Sequence, residues 1–333
     1  MKQKEPNSTA FFMADVRHKR PTARRAVARG SFFAGKQVFD LISRAGLPKG
    51  DALLMAEIAG IQGAKQASNL MPLCHPLPLE LVRTRYELDA QQNAVHIYCE
   101  VATHAKTGVE MEALAGVNAA LLTLYDLSKP IDPALQIGQI RLLFKEGGKK
   151  GTWIHPDGMS QAEREHYRPS DTLNLDGHKA AIITLSDRAS RGDYPDQSGE
   201  IIVQRLQAAQ VHILAKDLLA DELQPLMQRL QVLAESGADL IICTGGTGLG
   251  PRDITSEAID GLPVRDVPGV ANYFRNESTY FTQSAVLSRA RCAVLGKSLI
   301  IALPGSPKAV TQGLDILLPL LPHALAMIKG QGH

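Results

Sequence analysis

Two rhythms of apolar residues divide the chain. Before residue 150, NAVHIYCEVA (93–102) and IGQIRLLF (137–144) read as strands, and segments 51–68 and 110–128 carry apolar residues at helical spacing. In the second helix Leu114, Val117, Leu121, Leu124 and Tyr125 recur on one side, and Pro130 ends the run. Mixed strands and helices predict an α+β domain. After residue 178 the pattern changes. AAIITLSD (180–187), ADLIICTGG (238–246) and SLIIALPG (298–305) are apolar strands that end in small-residue loops, each followed by an amphipathic segment. Such strands are buried on both faces of a parallel sheet, with ligands in the crevice at their C-terminal ends. Ser186-Asp187, Thr244 to Gly250 and Pro304 to Pro307 should therefore converge.

Between Gly147 and His178 no period of 2 or 3.6 persists, so residues 153–177 are expected to be a linker. The expected organisation is a flexible N-terminus at 1–12, a domain at 13–152, and a second domain at 178–333. A length of 333 residues suits two domains.

Composition narrows the function classes. With 44% apolar and 21% charged residues, wholesale disorder is excluded. Aromatics are 5%, with Trp153 the one tryptophan, which disfavours stacking on single-stranded nucleic acid. The net charge of +2 hides an asymmetry: 20 Lys and Arg against 14 Asp and Glu in residues 1–150, then 16 against 20. A basic first half suits a polyphosphate ligand, although a basic face is more often solvated surface. Cys74, Cys99, Cys243 and Cys292 form no CxxC pair, as in a reduced intracellular protein. The apolar run Ala10 to Ala14 is too short for a signal peptide, and no run of about 18 apolar residues occurs, so a cytoplasmic location is expected.

Several residues of the first half can carry chemistry. Asp126 and Lys129, three apart, share a helix face, as a surface salt bridge or a catalytic pair. Glu110 precedes Asp126 by sixteen residues, about 24 Å on one helix, so the two cannot form a local dyad within a chain. Lys49 precedes a helix that contains Lys65, and Cys74-His75 lies in a proline-flanked turn without other zinc-ligand spacing.

DVRHKRPTARRAVARG (15–30), KGDALLMAEIAGIQGAK (49–65), NLMPLCHP (69–76), GVEMEAL (108–114), LYDLSKPID (124–132) and RLLFKEGGKKG (141–151) together resemble the MoaC family of cyclic pyranopterin monophosphate synthases. The resemblance implies a ferredoxin-like α+β fold, hexamers with sites at a dimer interface, and conversion of a cyclised dihydro-GTP to cyclic pyranopterin monophosphate with loss of diphosphate. It assigns catalysis to Lys49, Asp126 and Lys129. Lys19, Arg24 and His75 would face the phosphates, and Glu110 and Glu112 the pterin, with Lys65, Cys74 and Met111 also in the substrate site. No cofactor is implied for this half.

In the second half, TGGTGLGPRD (244–253) follows a strand and precedes a helix, so its amides can cradle a phosphate, although it is neither a Walker A loop nor GxGxxG. Gly and Ser recur before a helix in LPGSPKAV (303–310). Asp221 and Asp253 are candidates for Mg²⁺, while Asp221 reads equally well as a helix N-cap. With ITLSDRASRGDYPDQSGEII (183–202) and AVLSRA (285–290), these segments resemble the MogA/MoaB family of molybdopterin adenylyltransferases. That implies a doubly wound, three-layer α/β domain with a mostly parallel sheet, trimers, and AMP transfer from ATP with Mg²⁺. Asp221 and Asp253 match the catalytic acids. Asp187, Ser198, Thr244, Gly245, Gly246, Thr247, Gly248, Pro304, Gly305 and Ser306 match the pterin and phosphate loops. Ala220 and Asn272 depart from the family's Pro and acid.

The sequence thus reads as a bifunctional molybdenum cofactor enzyme acting on pterin and nucleotide substrates. A homotrimer or homohexamer is expected, with other molybdenum cofactor biosynthesis proteins as further partners and neither nucleic acid nor membrane. One alternative is a second half that only binds molybdopterin as a carrier. Another is nucleic-acid binding through Arg17 to Arg29.

Overall fold

The computed structural model describes residues 11–148, 151–170 and 173–331, in two compact units, Met1–Asp171 and Thr172–His333. Of the expected flexible N-terminus, residues 1–10 lie outside the described residues.

The first unit runs β1 (Thr22–Phe33), α1 (Gly35–Ser43), α2 (Ala52–Lys65), α3 (Ala67–Leu70), β2 (Leu81–Asp89), β3 (Ala94–Ala105), α4 (Glu110–Ser128), β4 (Gln136–Glu146), β5 (Trp153–Ile154) and α5 (Gln161–Tyr167). Its sheet is antiparallel throughout, in the order β2-β3-β1-β4-β5. This is the expected α+β class. Asp51 starts α2 by accepting the Leu53 and Leu54 amides at 3.0 and 3.2 Å. Helices α2 and α4 run antiparallel and very close, because glycines face the contact. A Cβ on Gly63 would stand 2.4 Å from the Ala119 Cβ, and one on Gly116 2.9 Å from the Gly60 carbonyl oxygen.

The stretch expected to be a linker, 153–177, is folded at both ends. Tyr167 of α5 is buried against Val27, Tyr98, Leu143 and Phe144. Its carbonyl accepts from Arg25 at 2.8 Å and its hydroxyl from Arg85 at 2.8 Å. Glu163 accepts from Arg29 at 3.0 Å and from the Tyr98 hydroxyl at 3.2 Å, while Ser160 and Glu163 form a capping box. Leu175 belongs to the core of the second unit, where its amide donates to the Ala209 carbonyl at 2.8 Å. Ring burial and ion pairing to distant residues hold these pieces, and neither leaves a local period.

The second unit runs β6 (Lys179–Leu185), α6 (Asp187–Ser190), α7 (Gln197–Ala208), β7 (His212–Leu219), α8 (Leu223–Glu235), β8 (Leu240–Thr244), α9 (Thr255–Asp260), β9 (Arg265–Asp266), α10 (Pro268–Ser278), β10 (Arg291–Leu295), β11 (Ser298–Leu303), α11 (Pro307–Leu317) and α12 (Leu321–Ile328). The sheet order is β7-β6-β8-β11-β10-β9, and it is mixed: β7, β6, β8 and β11 are parallel, β10 and β9 antiparallel. Alternate residues feed two cores. Ile182 and Ile242 meet α7, α10, α11 and α12 on one face, and Ile183 and Ile241 meet α8 and α9 on the other. Pro307–Ile328 is long and apolar enough to cross a membrane by length and composition alone. A 3₁₀ turn at Leu318–Leu320 interrupts it, and Val310, Leu314, Leu317, Leu321 and Leu325 are buried in the core, as in a core helix.

Candidate active sites

In the second unit the loops after β6, β8 and β11 do converge. They line an open cleft of about 1280 Å³ that includes Asp187, Ser198, Asp221, Gly245 to Leu249, Arg252, Asp253 and Pro304 to Pro307. The glycine loop is pinned from several sides. The Gly245 amide donates to the Leu303 carbonyl at 3.0 Å, and the Thr255 hydroxyl donates to the Gly245 carbonyl at 2.7 Å. Gly245 has φ +103°, and a Cβ there would stand 2.2 Å from the Leu185 carbonyl oxygen, so only glycine fits. The Thr244 hydroxyl donates to the Pro304 carbonyl at 3.0 Å, and the Ser198 hydroxyl to the Gly305 carbonyl at 2.7 Å. Ser306 caps α11 by accepting the Ala309 amide at 3.2 Å.

The acids are set by backbone bonds. Asp221 is not the N-cap of α8, whose N-cap is Glu222. Instead its Oδ2 accepts the Asp187 amide at 2.9 Å, and its own amide donates to Asp187 Oδ1 at 3.1 Å. Desolvation raises the Asp221 carboxyl above its ordinary range. Asp253 accepts the Gly250 amide at 2.8 Å, which folds the glycine loop over its carboxylate. Spacing alone did not single out two arginines here. Arg252 forks onto Asp187, whose carboxyl that bond lowers. Arg289 donates to the carbonyls of Gly248 at 2.6 Å and Asp253 at 2.5 Å. Both lie inside quoted motifs, and their partners are distant in sequence. Asn272 is bonded to Arg275 on its own helix and is not among the lining residues.

In the first unit the candidates fall into two groups, one at each end of α4. At the C-terminal end Asp126 joins two lysines: Lys129 Nζ lies 2.8 Å from Oδ1 and Lys49 Nζ 3.5 Å from Oδ2. All three side chains are about half exposed. The bond from Lys129 lowers the Asp126 carboxyl, and the same bond raises the Lys129 ammonium, so both stay charged.

At the N-terminal end Glu112 is buried, accepting the Cys74 thiol at 3.6 Å on Oε1, while Oε2 has no hydrogen-bond partner among the described residues. Desolvation raises both the Glu112 carboxyl and the Cys74 thiol. Lys145 lies 3.8 Å from Glu110, and half-buried Arg24 donates to the Ala105 carbonyl at 3.3 Å. His75 Nε2 donates to the Ala14 carbonyl at 2.9 Å, which brings the segment with exposed Lys19 to the same end. Lys65, in the last turn of antiparallel α2, lies toward this end, and Met111 is exposed beside it. Of the arginine-rich stretch, Arg25 pairs with Glu100 and Glu146 and Arg29 with Glu163 within the unit.

The MoaC family matches residues 13–148, and the family described as "Probable molybdopterin binding domain" matches residues 181–323. A "Molybdenum cofactor biosynthesis bifunctional protein" of Synechococcus elongatus is 43% identical over 321 residues, which are 96% of this chain and 98% of that protein. Its namesake in Chlorobaculum tepidum is 38% identical over 321 residues, 96% of each chain. The cyclic pyranopterin monophosphate synthase of Pelobacter propionicus is 44% identical over 147 residues, 44% of this chain and 92% of that protein.

Proposed function

This chain belongs to the family of molybdenum cofactor biosynthesis bifunctional proteins, and on that premise we propose two reactions, one for each unit. The first unit converts the cyclised dihydro-GTP to cyclic pyranopterin monophosphate with release of diphosphate. The second adenylylates molybdopterin with ATP.

For the first unit, the arrangement that carries the reading is Asp126 held between Lys49 and Lys129. A carboxylate bonded to two ammonium groups holds them side by side, which suits neutralisation of a triphosphate and of the leaving diphosphate. Lys129, kept protonated by Asp126, is suited to present positive charge to the phosphates rather than to act as a base. The strand order β2-β3-β1-β4 with helices after β1 and β3 supports the ferredoxin-like reading. Leu54 and Ile58 on α2 and Leu122 on α4, one turn before Asp126, are each more than half exposed. An apolar strip beside the lysines supports a homotrimer or homohexamer in which another copy covers it and completes the site.

For the second unit, the reading rests on acids and amides facing one cleft. The amides of the glycine loop and the N-terminus of α11 suit phosphates. No group of three His, Cys, Asp or Glu that could hold an ion occurs among the described residues, so Asp221 and Asp253 fit magnesium only together with phosphate oxygens. Bound so, the ion supplies charge neutralisation at the transferred phosphoryl group. Asp187 and Asp221 order the loops around the pterin, and Ser198 and Thr244 lock the β11 loop through its carbonyls.

Two assays on the full chain test both halves. Lys129→Ala should lower cyclic pyranopterin monophosphate formation at least about 100-fold and leave AMP transfer intact, and Asp253→Ala should do the reverse. A wild-type chain that binds molybdopterin but never transfers AMP would reduce the second unit to a carrier.

A further inference from the structure

Arg252 precedes Asp253 on the glycine loop, yet its guanidinium is bonded to another loop. Nε lies 3.0 Å from Asp187 Oδ2, and Nη2 lies 2.7 Å from both carboxylate oxygens. Asp187 in turn exchanges backbone bonds with Asp221, so one side chain ties together the loops after β6, β7 and β8. Asp187, Asp221 and Asp253 all line the cleft. The other arginines on the lining are engaged elsewhere: Arg188 lies over the Tyr194 ring at 5.4 Å, and Arg191 pairs with Asp193 at 3.8 Å. Arg252 therefore carries the compensating charge bonded to Asp187, the acid that holds Asp221.

We propose that Arg252 is a positioning residue that stands in for a divalent cation against Asp187 and Asp221, so that metal enters this cleft only with a polyphosphate able to draw the guanidinium away. The proposal rests on the nucleotide and magnesium reading of the second unit. Its physical basis is the matching of a guanidinium fork to carboxylate and phosphate alike. The Arg252 side chain is 62% exposed, so its pair with Asp187 is a weak one that a more highly charged ligand can displace. While the pair is made, the acids facing an incoming cation carry one negative charge fewer. Once triphosphate takes the guanidinium, Asp187 stops competing for it and Asp221 and Asp253 face the phosphates.

Mn²⁺ titration of the full-length protein, followed by electron paramagnetic resonance with and without a non-hydrolysable ATP analogue, tests this without reading activity. Wild type should bind Mn²⁺ weakly alone and at least about tenfold more tightly with the analogue. Arg252→Ala should bind Mn²⁺ alone roughly tenfold more tightly than wild type, as expected from removing one nearby positive charge, and lose most of the gain from the analogue. Asp187→Asn keeps the backbone amide that bonds Asp221 but removes an acid, and should show no such gain. Equal Mn²⁺ affinity in wild type and Arg252→Ala would overturn the proposal. So would equal shifts in Arg252→Ala and Asp187→Asn, which would reduce Arg252 to a structural tether. If wild type takes up no Mn²⁺ even with the analogue, the nucleotide and metal reading of the cleft falls, and this proposal with it.

Discussion

Glu110 and Asp126 stand at opposite ends of one unbroken helix, α4, sixteen residues and so about 24 Å apart along its axis. The residues gathered near Glu110 are out of reach of Lys49 and Lys129 within one copy. If both ends serve one reaction, they meet only between copies. Co-expressed Glu110→Ala and Asp126→Ala chains should then recover roughly a quarter of wild-type cyclic pyranopterin monophosphate formation, because half of randomly formed dimers pair unlike chains and hold one intact site of two. Each variant alone should stay inactive. A mixture as inactive as its parts would sink the shared site.

Tyr167 is a core residue of the first unit although it lies beyond residues 13–148, the extent of the family match. Tyr167→Ala removes a buried ring and should cost about 3 kcal/mol. Calorimetry of the full chain should show the transition of the first unit moving down and that of the second staying in place. Cutting the chain after residue 152 should be more damaging than cutting it after 171.

Glu112 links stability to pH. Burial raises its carboxyl above the ordinary 4.5, so the folded chain keeps the proton to higher pH than the unfolded chain does. Between those two values the folded state binds more protons, and the contribution of Glu112 to stability is lost as pH rises through the window. Glu112→Gln should therefore raise the melting temperature of the first unit at pH 7 and leave it unchanged near pH 4. A gain that is equal at both pH values would show that the carboxyl does not titrate in that interval.

Gly245→Ala would place a methyl group against the Leu185 carbonyl at a positive φ. The expected cost is about 1–3 kcal/mol in urea unfolding of the second unit, with loss of pterin binding. Gly269→Ala, whose Cβ would meet nothing within 4 Å, is the control and should leave binding unchanged.

The strands β6, β8 and β11 and the loops at their ends were legible in the sequence, because strands buried on both faces must be apolar throughout. The helix α4 was legible from its spacing and its terminal proline. Asp126, Lys129, Asp221 and Asp253 were singled out by their spacing and position and given roles through motif resemblance, and the separation of about 24 Å followed from helix rise alone. What stayed hidden depends on partners far away in sequence. Arg252 and Asp187 are 65 residues apart, and Arg29 and Glu163 are 134 apart. A strand of two residues and a helix of seven, as in β5 and α5, are too short for any period to show.

The one tryptophan of the chain stands in β5, where Trp153 pairs with Lys145 and meets His155 edge-on at 5.9 Å. Its emission therefore belongs to a single folding unit and reports whether that short strand is seated. A protein built of two compact units thus carries a native optical label on one of them, and fluorescence follows the unfolding of that unit without any added dye.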